Sequence, residues 1–278
     1  MISPLPSMTI VTPSLNQGKY IRETIESVMR QQYPGLEYIV FDGGSTDDTL
    51  DILKSYPHLK WLSERDRGQS DAINKGFDRA QNDIVAWINS DDSYVNGALE
   101  KAGYFMREHP EIDVLYGDCY LTNETGKILR ARREIDFDPN VLLFGFNYIP
   151  QPSTFFRRSA VMRAGRLDIS LKYSMDYEYF LRLCKSGARF QHVKEFLSFY
   201  RLQPGSVTFN QPSGMHAEYA SFRREYIKNK IQLNDAVFAF LHYGYRAKRQ
   251  LLKMLQGTMP DLWSFDFEMK VRKLLKEI

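Results

Sequence analysis

Apolar residues in the first half of the chain come in short bursts, each closed by polar or turn-forming residues. Met8 to Val11 is one such burst, and Thr12-Pro13-Ser14 ends it, which predicts a strand running into a loop. Ile21, Ile25, Val28 and Met29 then repeat at helical spacing until Pro34-Gly35 closes the element. Leu36 to Phe41 predicts a second strand ending in the turn Asp42-Gly43-Gly44-Ser45. A helix placed to be capped by Thr46 carries Leu50, Ile52 and Leu53 and stops before Pro57. Leu59 to Leu62 predicts strand three, Ser70 to Ala80 a helix, and Ile84 to Ile88 strand four.

Short apolar strands alternating with helices predict βαβ crossovers, hence an α/β fold with a mostly parallel sheet and helices on both faces. Such sheets bind ligands at the C-terminal ends of their strands. All four predicted strands end in polar residues: Thr12 to Asn16, Asp42 to Ser45, Glu64 to Gly68, and Asn89 to Ser93.

The pattern loosens after a helix at about 96–108. Val114 to Gly117 and Ile128 to Arg132 read as strands around an Asn-Glu-Thr-Gly turn, and Thr154 to Phe156 as another strand. Ala160 to Ala164 and Met175 to Ser186 read as helices, and Phe196 to Tyr200 as a final strand. From about Met215 onward only amphipathic helical patterns remain. These divisions place one domain at 1–212, with halves at 8–117 and 118–212, and a helical extension at 213–278.

Composition narrows the class. The 278 residues suffice for one large domain with a smaller extension. A net charge of +3 is too small to indicate a nucleic-acid partner. Cys119 and Cys184 have neither metal-type nor redox spacing, so they read as buried thiols of a reducing compartment. The N-terminus lacks the features of a signal peptide, and no apolar run is long enough to span a bilayer. These features lead us to expect a cytoplasmic protein.

The chemistry centres on Trp87-Ile-Asn-Ser-Asp-Asp-Ser93. Adjacent carboxylates at the end of a buried strand repel each other, and a hard divalent cation such as Mg²⁺ or Mn²⁺ relieves the repulsion. Such an ion also neutralises a diphosphate leaving group. A solvated loop capping the following helix is the alternative. Asp42, directly after strand two, suits a base edge or ribose, and Gly43 permits close backbone approach, although Asp-Gly is also an ordinary turn. Neither the dinucleotide fingerprint nor the Gly-Lys-Ser/Thr phosphate loop is present.

Taken together, Thr12-Pro-Ser-Leu-Asn16, Tyr38-Ile-Val-Phe-Asp-Gly-Gly-Ser-Thr-Asp47, Glu64-Arg-Asp-Arg-Gly-Gln-Ser-Asp-Ala-Ile-Asn-Lys-Gly76 and Trp87-Ile-Asn-Ser-Asp-Asp92 resemble the family 2 glycosyltransferases of the GT-A fold. The likeness runs in order from about residue 8 to residue 210. It implies a Rossmann-like sheet and a nucleotide-sugar site holding Thr12, Pro13, Ser14, Asn16, Asp42, Gly43, Asp66, Gly68, Asn74, Asn89, Asp91 and Arg201. By the same likeness Thr12 and Ser14 line the base pocket, Asp42 bonds the base and Asp66 closes its other side. Asp91 serves the ribose or the ion, and Asp92 ligates Mn²⁺ or Mg²⁺. Relatives usually carry Asp at the position of Asn89.

Ser174-Met-Asp-Tyr-Glu-Tyr-Phe-Leu-Arg182 is similar to the family segment bearing the catalytic base, which maps to Asp176. A sugar hydroxyl is a weak nucleophile and needs such a base. With no separate nucleophile evident, inversion is the expected course. A helix cap or an ion pair with Arg182 is the structural alternative for Asp176. Gln151 to Arg158 also resembles a family segment, which implies an acceptor-side role for Gln151, with a simple turn as the alternative; Glu178 is placed on the same side. Tyr200 to Thr208 resembles the loop over the diphosphate, where Arg201 can pair with phosphate. Many relatives have His at the position of Gln203, and this departure leaves open whether Gln203 assists the ion or waters and the diphosphate fill its shell.

The implied partners are a nucleotide-sugar donor and a glycan or lipid-linked acceptor. Tyr219, Phe222, Tyr226, Phe238, Phe240, Tyr243 and Tyr245 interleave with Arg223, Arg224, Lys228, Lys230, Arg246, Lys248 and Arg249. That mixture suits an anionic membrane surface. It suits still better a cap on the catalytic domain or a homodimer contact. Two other functions stay in view. One is a non-catalytic nucleotide-sugar binder on the same fold; the other, a sugar-phosphate nucleotidyltransferase, lacks its Gly-rich, Arg-bearing loop here.

Overall fold

A computed structural model describes residues 4–204, 212–228 and 235–257. The parallel core forms as the periodicity predicts: β1 (Met8–Ser14), β2 (Leu36–Asp42), β3 (Lys60–Ser63) and β4 (Ile84–Trp87), with α1 (Ile21–Met29), α2 (Thr49–Lys54) and α3 (Gln69–Arg79) between them. After β4 come β5 (Ser93–Tyr94), α4 (Ala98–Glu108), β6 (Val114–Thr122) and β7 (Ile128–Arg132). A π-helical turn (Val141–Gly145) and a 3₁₀ turn (Gln151–Ser153) lead into β8 (Thr154–Arg157), α5 (Arg158–Ala164), α6 (Met175–Lys185) and β9 (Phe190–Arg201). The helices α7 (Pro212–Lys228) and α8 (Asp235–Leu255) follow.

The strands join in the order β3-β2-β1-β4-β8-β6-β9-β5, with β7 hanging on β6. β1 to β4, β6 and β9 run one way, and β5, β7 and β8 run against them. Alternation along the strands divides the core between two faces. Ile10, Val40 and Ala86 face α1 and α4, whereas Val11, Phe41 and Trp87 face α3, α6 and the later helices. On that second face α3 lies very close to β1: a Cβ on Gly76 would come 2.5 Å from the Val11 methyls.

Several sequence expectations need correction. β1 continues to Ser14, because its ladder to β2 extends through Pro13 and Ser14 to Asp42. Thr46 is not the cap of α2, which starts at Thr49. The Asp47 carboxylate takes the Thr49 N–H at 3.0 Å and the Gly18 N–H at 2.9 Å. The final strand has 12 residues rather than the short Phe196 to Tyr200 run. The Gly205 to Thr208 part of the expected phosphate loop lies outside the described residues, as do Lys230 and the end of the extension.

The C-terminal helices turn many of their cations inward. Arg249 of α8 reaches Glu134 through Nη2 at 2.6 and 2.7 Å, with Arg132 bonding the same carboxylate at 2.9 Å. Lys248 pairs with Asp138 at 2.5 Å. No helix among the described residues is long and apolar enough to cross a membrane.

Burial opposes the charge on Glu134, but Arg249, Arg132 and Lys253 overcome it and hold its pKa below the usual glutamate range. This stabilisation is therefore complete above that range and is lost as pH falls through the lowered folded-state value. Arg249→Met is expected to lower the unfolding free energy by about 3 kcal/mol at pH 7. In denaturant melts the gap from wild type should narrow as the solution is acidified below pH ~4.

Candidate active site

The C-terminal ends of β1, β2, β3 and β4 meet where β1 has β2 on one side and β4 on the other, the place such sheets offer to ligands. Three turns leave this edge.

The first turn belongs to β2. Asp42 is 1% exposed and accepts hydrogen bonds from Gly44 N–H (3.0 Å), Ser45 N–H (2.9 Å) and Ser63 Oγ (2.6 Å), and also from the Ser45 hydroxyl. The carboxylate that the sequence offers to a base is thus extensively engaged in holding its own turn. Gly43 leaves room for a close approach. A Cβ there would come 2.9 Å from Asp66 Oδ2, so Asp66 closes against bare backbone. Asp66 in turn accepts the Gly68 N–H at 2.9 Å, where Gly68 has φ 108° at the start of α3. Burial pushes the Asp66 carboxyl above its usual range.

The second turn follows β1. Thr12 shares a hydrogen bond with the Tyr38 hydroxyl at 3.1 Å and is fully buried, while Pro13 and Ser14 continue the strand. Ser14 Oγ is buried and has no protein partner. Asn16, at φ 53°, accepts the Thr46 N–H through its side chain at 2.9 Å and donates its own N–H to Ser45 Oγ at 2.7 Å. It therefore ties the first two turns together.

The third turn follows β4 and carries the paired carboxylates. Its shape comes from pairing further along the chain: β5 lies antiparallel to β9, with Ser93 opposite Phe199. Continuing that register places the Asp91–Asp92 turn beside Arg201. The Arg201 N–H donates to Asp92 Oδ1 at 2.9 Å and its Nε to the Asp91 carbonyl at 2.9 Å. Its other guanidinium nitrogens reach the Glu124 carbonyl at 2.7 Å and Glu23 at 2.5 Å. The side chain expected on phosphate is 5% exposed and instead clamps this turn to α1 and to the β6–β7 connection.

Asn89 donates to Asp92 Oδ2 at 3.3 Å, and Gln203 donates to Asp91 Oδ2 at 3.1 Å. Asp92 is 2% exposed; burial first, then the charge of Asp91, pushes its carboxyl well above the usual range. Burial raises Asp91 as well. Two hard oxygen donors that resist ionising without a positive neighbour suit a divalent cation. Among the described residues no three His, Cys, Asp or Glu side chains form a ready cation cage. A cation here would take its remaining ligands from a phosphate and water, which suits Mg²⁺-type coordination.

Asp176 enters from α6. Its Oδ1 accepts the Tyr177 N–H at 2.8 Å and its Oδ2 accepts Asn147 Nδ2 at 3.0 Å. The expected alternative, an ion pair with Arg182, is absent because Arg182 pairs with Glu178 at 2.8 Å. Burial pushes Asp176 above the usual carboxylate range.

Two connections tie Asp176 to the carboxylate turn. Gln69 Nε2 donates to Asn89 Oδ1 at 2.6 Å, and its neighbour Ser70 donates to Met175 Sδ at 2.8 Å. Gln151 Nε2 donates to the Trp87 carbonyl at 2.8 Å, four residues from the Asn147 that holds Asp176. Four residues span at most about 14 Å. Gln151 Oε1 is buried without a protein partner.

Two expected site residues serve elsewhere. Asn74 donates to the Leu167 carbonyl at 2.9 Å and accepts the Leu167 N–H at 2.8 Å, so its amide fastens α3 to the segment after α5. Glu178 is held by Arg182 and by the Tyr226 hydroxyl at 2.9 Å, and its carboxylate supports the packing of α6. Sequence reasoning missed Gln69, Asn147 and Glu23. Gln69 stands inside a recognised motif, but the other two had no distinguishing signal.

The sequence profile described as Glycosyl transferase family 2 matches residues 9–165, more than half of the chain. The chain belongs to glycosyl transferase family 2. It is a glycosyltransferase with the GT-A type of fold. TuaG of Bacillus subtilis, named for teichuronic acid biosynthesis, is 27% identical over 89% of this chain and 98% of its own. A PGL/p-HBAD biosynthesis glycosyltransferase of Mycobacterium bovis is 30% identical over 68% of this chain and 75% of its own. Among solved structures, S. aureus TarS 1-349 in complex with UDP-GlcNAc has a TM-score of 0.67 at 19% identity, covering 86% of this chain and 71% of that one. A Pyrobaculum calidifontis mannosyltransferase in complex with GDP-Man and Mn²⁺ has a TM-score of 0.63 at 17% identity, covering 97% of this chain and 82% of that one.

Gly43→Ala tests the contact with Asp66. The added methyl should weaken nucleotide-sugar binding roughly tenfold or more while changing stability by no more than about 1 kcal/mol. Titration calorimetry and a denaturant melt read the two effects separately.

Proposed function

We propose that this enzyme transfers one sugar from a UDP- or dTDP-linked donor to a hydroxyl of a glycan or lipid-linked acceptor, inverting the anomeric centre. The observation that carries this reading is the double connection between Asp176 and the Asp91–Asp92 turn, through Gln69–Ser70 and through the Asn147–Gln151 stretch. A candidate base and a candidate diphosphate site are thereby held in fixed relation, the arrangement that direct displacement needs.

The acceptor oxygen forms its bond to the anomeric carbon as the bond to the diphosphate oxygen breaks. The hydroxyl proton passes to Asp176, and the bonding pair leaves with the nucleoside diphosphate. On this reading the nucleobase lies between the β1 and β2 turns, with Ser14 Oγ and the Asp66–Gly43 contact at its edges. Gln151 Oε1 is available to accept from a sugar hydroxyl. Mn²⁺ or Mg²⁺ would be held by Asp91 and Asp92, where it would neutralise charge on the leaving diphosphate. The names of TuaG and of the mycobacterial relative, together with the UDP-GlcNAc bound to TarS, support a cell-surface glycan product and a uridine donor.

The deciding experiment is a thermal-shift screen of UDP-, dTDP- and GDP-sugars with and without Mn²⁺, since ligands of the native state raise its melting temperature. A shift with a pyrimidine nucleotide sugar that depends on Mn²⁺ and vanishes in Asp92→Ala supports the reading; no shift with any of them sinks it. Asp176→Asn should abolish transfer, by roughly 10²-fold or more, and keep that thermal shift. Because Asp176 must be ionised to accept a proton and its pKa is raised, transfer should already decline on the acid side at a pH above the usual carboxylate range. A pH profile with no such limb removes Asp176 from the base role.

A further inference from the structure

The C-terminal helix α7 grips the chain on both sides of Asp176. Its Glu218 carboxylate accepts the N–H groups of Lys172 at 2.8 Å and Tyr173 at 3.0 Å and the Ser174 hydroxyl at 2.6 Å. One turn later its Arg223, 7% exposed, donates to the Tyr177 hydroxyl at 2.7 Å and to the Gly145 carbonyl at 2.6 Å. The Tyr177 hydroxyl donates onward to the Leu142 carbonyl at 2.5 Å. Arg223 therefore binds the π-helical turn to the residue that follows Asp176. That turn ends two residues before Asn147, whose amide reaches Asp176 Oδ2.

The amide has one defined orientation toward the base. Its Nδ2 is the end that faces Asp176, while its Oδ1 is buried without a protein partner. Against the burial that disfavours its charge, Asp176 is also acted on by its own N–H, by the Tyr177 N–H and by Arg132 of β7, all of which favour the charged carboxylate. Asn147 is thus the neutral side chain of the set and the one whose position depends on the π-helical turn.

We propose that Asn147 is the positioning residue of the base, orienting Asp176 and favouring its ionised form, and that α7 fixes Asn147 through Arg223. This proposal rests on the base reading of Asp176 for its catalytic consequence, but the arrangement itself is testable without turnover. A donated hydrogen bond stabilises a carboxylate, so its loss raises the carboxyl pKa, and a second carboxylate in its place raises it further.

The test follows the Asp176 carboxyl by ¹³C NMR in protein labelled at aspartate, with the signal assigned by its loss in Asp176→Asn. Asn147→Ala should move the titration upward, and the nearly isosteric Asn147→Asp should move it further. Arg223→Lys, which cannot span both of its partners with a planar fork, should shift it in the same direction by less. In parallel, Asn147→Ala should lower kcat roughly tenfold to a hundredfold with the donor KM unchanged, short of the loss seen in Asp176→Asn. An unmoved titration in both Asn147 variants overturns the proposal, as does an Asn147→Ala enzyme with wild-type kcat. If instead Asp176→Asn retains full transfer, it is the base reading that fails, and the NMR result then stands on its own.

Discussion

The structure is organised around the burial of two adjacent carboxylates at the end of a central strand. Burial raises the cost of ionising both Asp91 and Asp92, and the charge of Asp91 adds to the cost at Asp92. The carboxylates receive neutral donors, the Arg201 backbone N–H and the amides of Asn89 and Gln203, while the Arg201 guanidinium bonds the Asp91 carbonyl. The Thr24 hydroxyl adds a bond to the Asp92 carbonyl at 2.7 Å, which secures the turn to α1. Much of this support comes from Arg201 at the end of β9 and from Gln203 two residues later, far away in sequence. The parallel half of the sheet therefore supplies the carboxylates, and the later half determines where they sit.

The legibility of the fold follows the regularity of its strands. β1, β2 and β4 are mostly apolar runs, buried throughout in β1 and β4 and from Tyr38 onward in β2, and the residues that end them are turn formers, so periodicity finds them. β9 is different. Its ladder to β6 shifts register between Gly117 and Asp118 and again between Asp118 and Cys119, so extra residues interrupt its alternation. Only the stretch after the first and larger shift, Phe196 to Tyr200, reads as a strand. β5 is two residues long and leaves no period at all.

The site was legible as a set of positions and less so as a set of contacts. Asp66, Asp91, Asp92 and Asp176 could be named because each stands at an element boundary in a recognised motif. Their partners could not. Arg201 was expected to face phosphate, yet its four hydrogen bonds all go to protein groups brought together by the β5–β9 pairing. Asn74 stands in an equally recognisable motif but faces Leu167, because α3 turns that side of its surface toward the segment after α5. Interleaved basic and aromatic residues in the C-terminal helices left membrane, dimer and intramolecular packing open. The observed partners of Arg223, Lys248 and Arg249 belong to the same chain.

The family match ends at residue 165, eleven positions short of Asp176. The matched stretch holds β1 to β8 and the three turns of the candidate site. The segment bearing Asp176 is held from outside that boundary, by Glu218 and Arg223. A chimera joined at the edge of the family match would leave α6 on its own supports only if α7 travelled with it. The natural unit of exchange is therefore α6 together with α7, two stretches separated in sequence that have to be inherited as one.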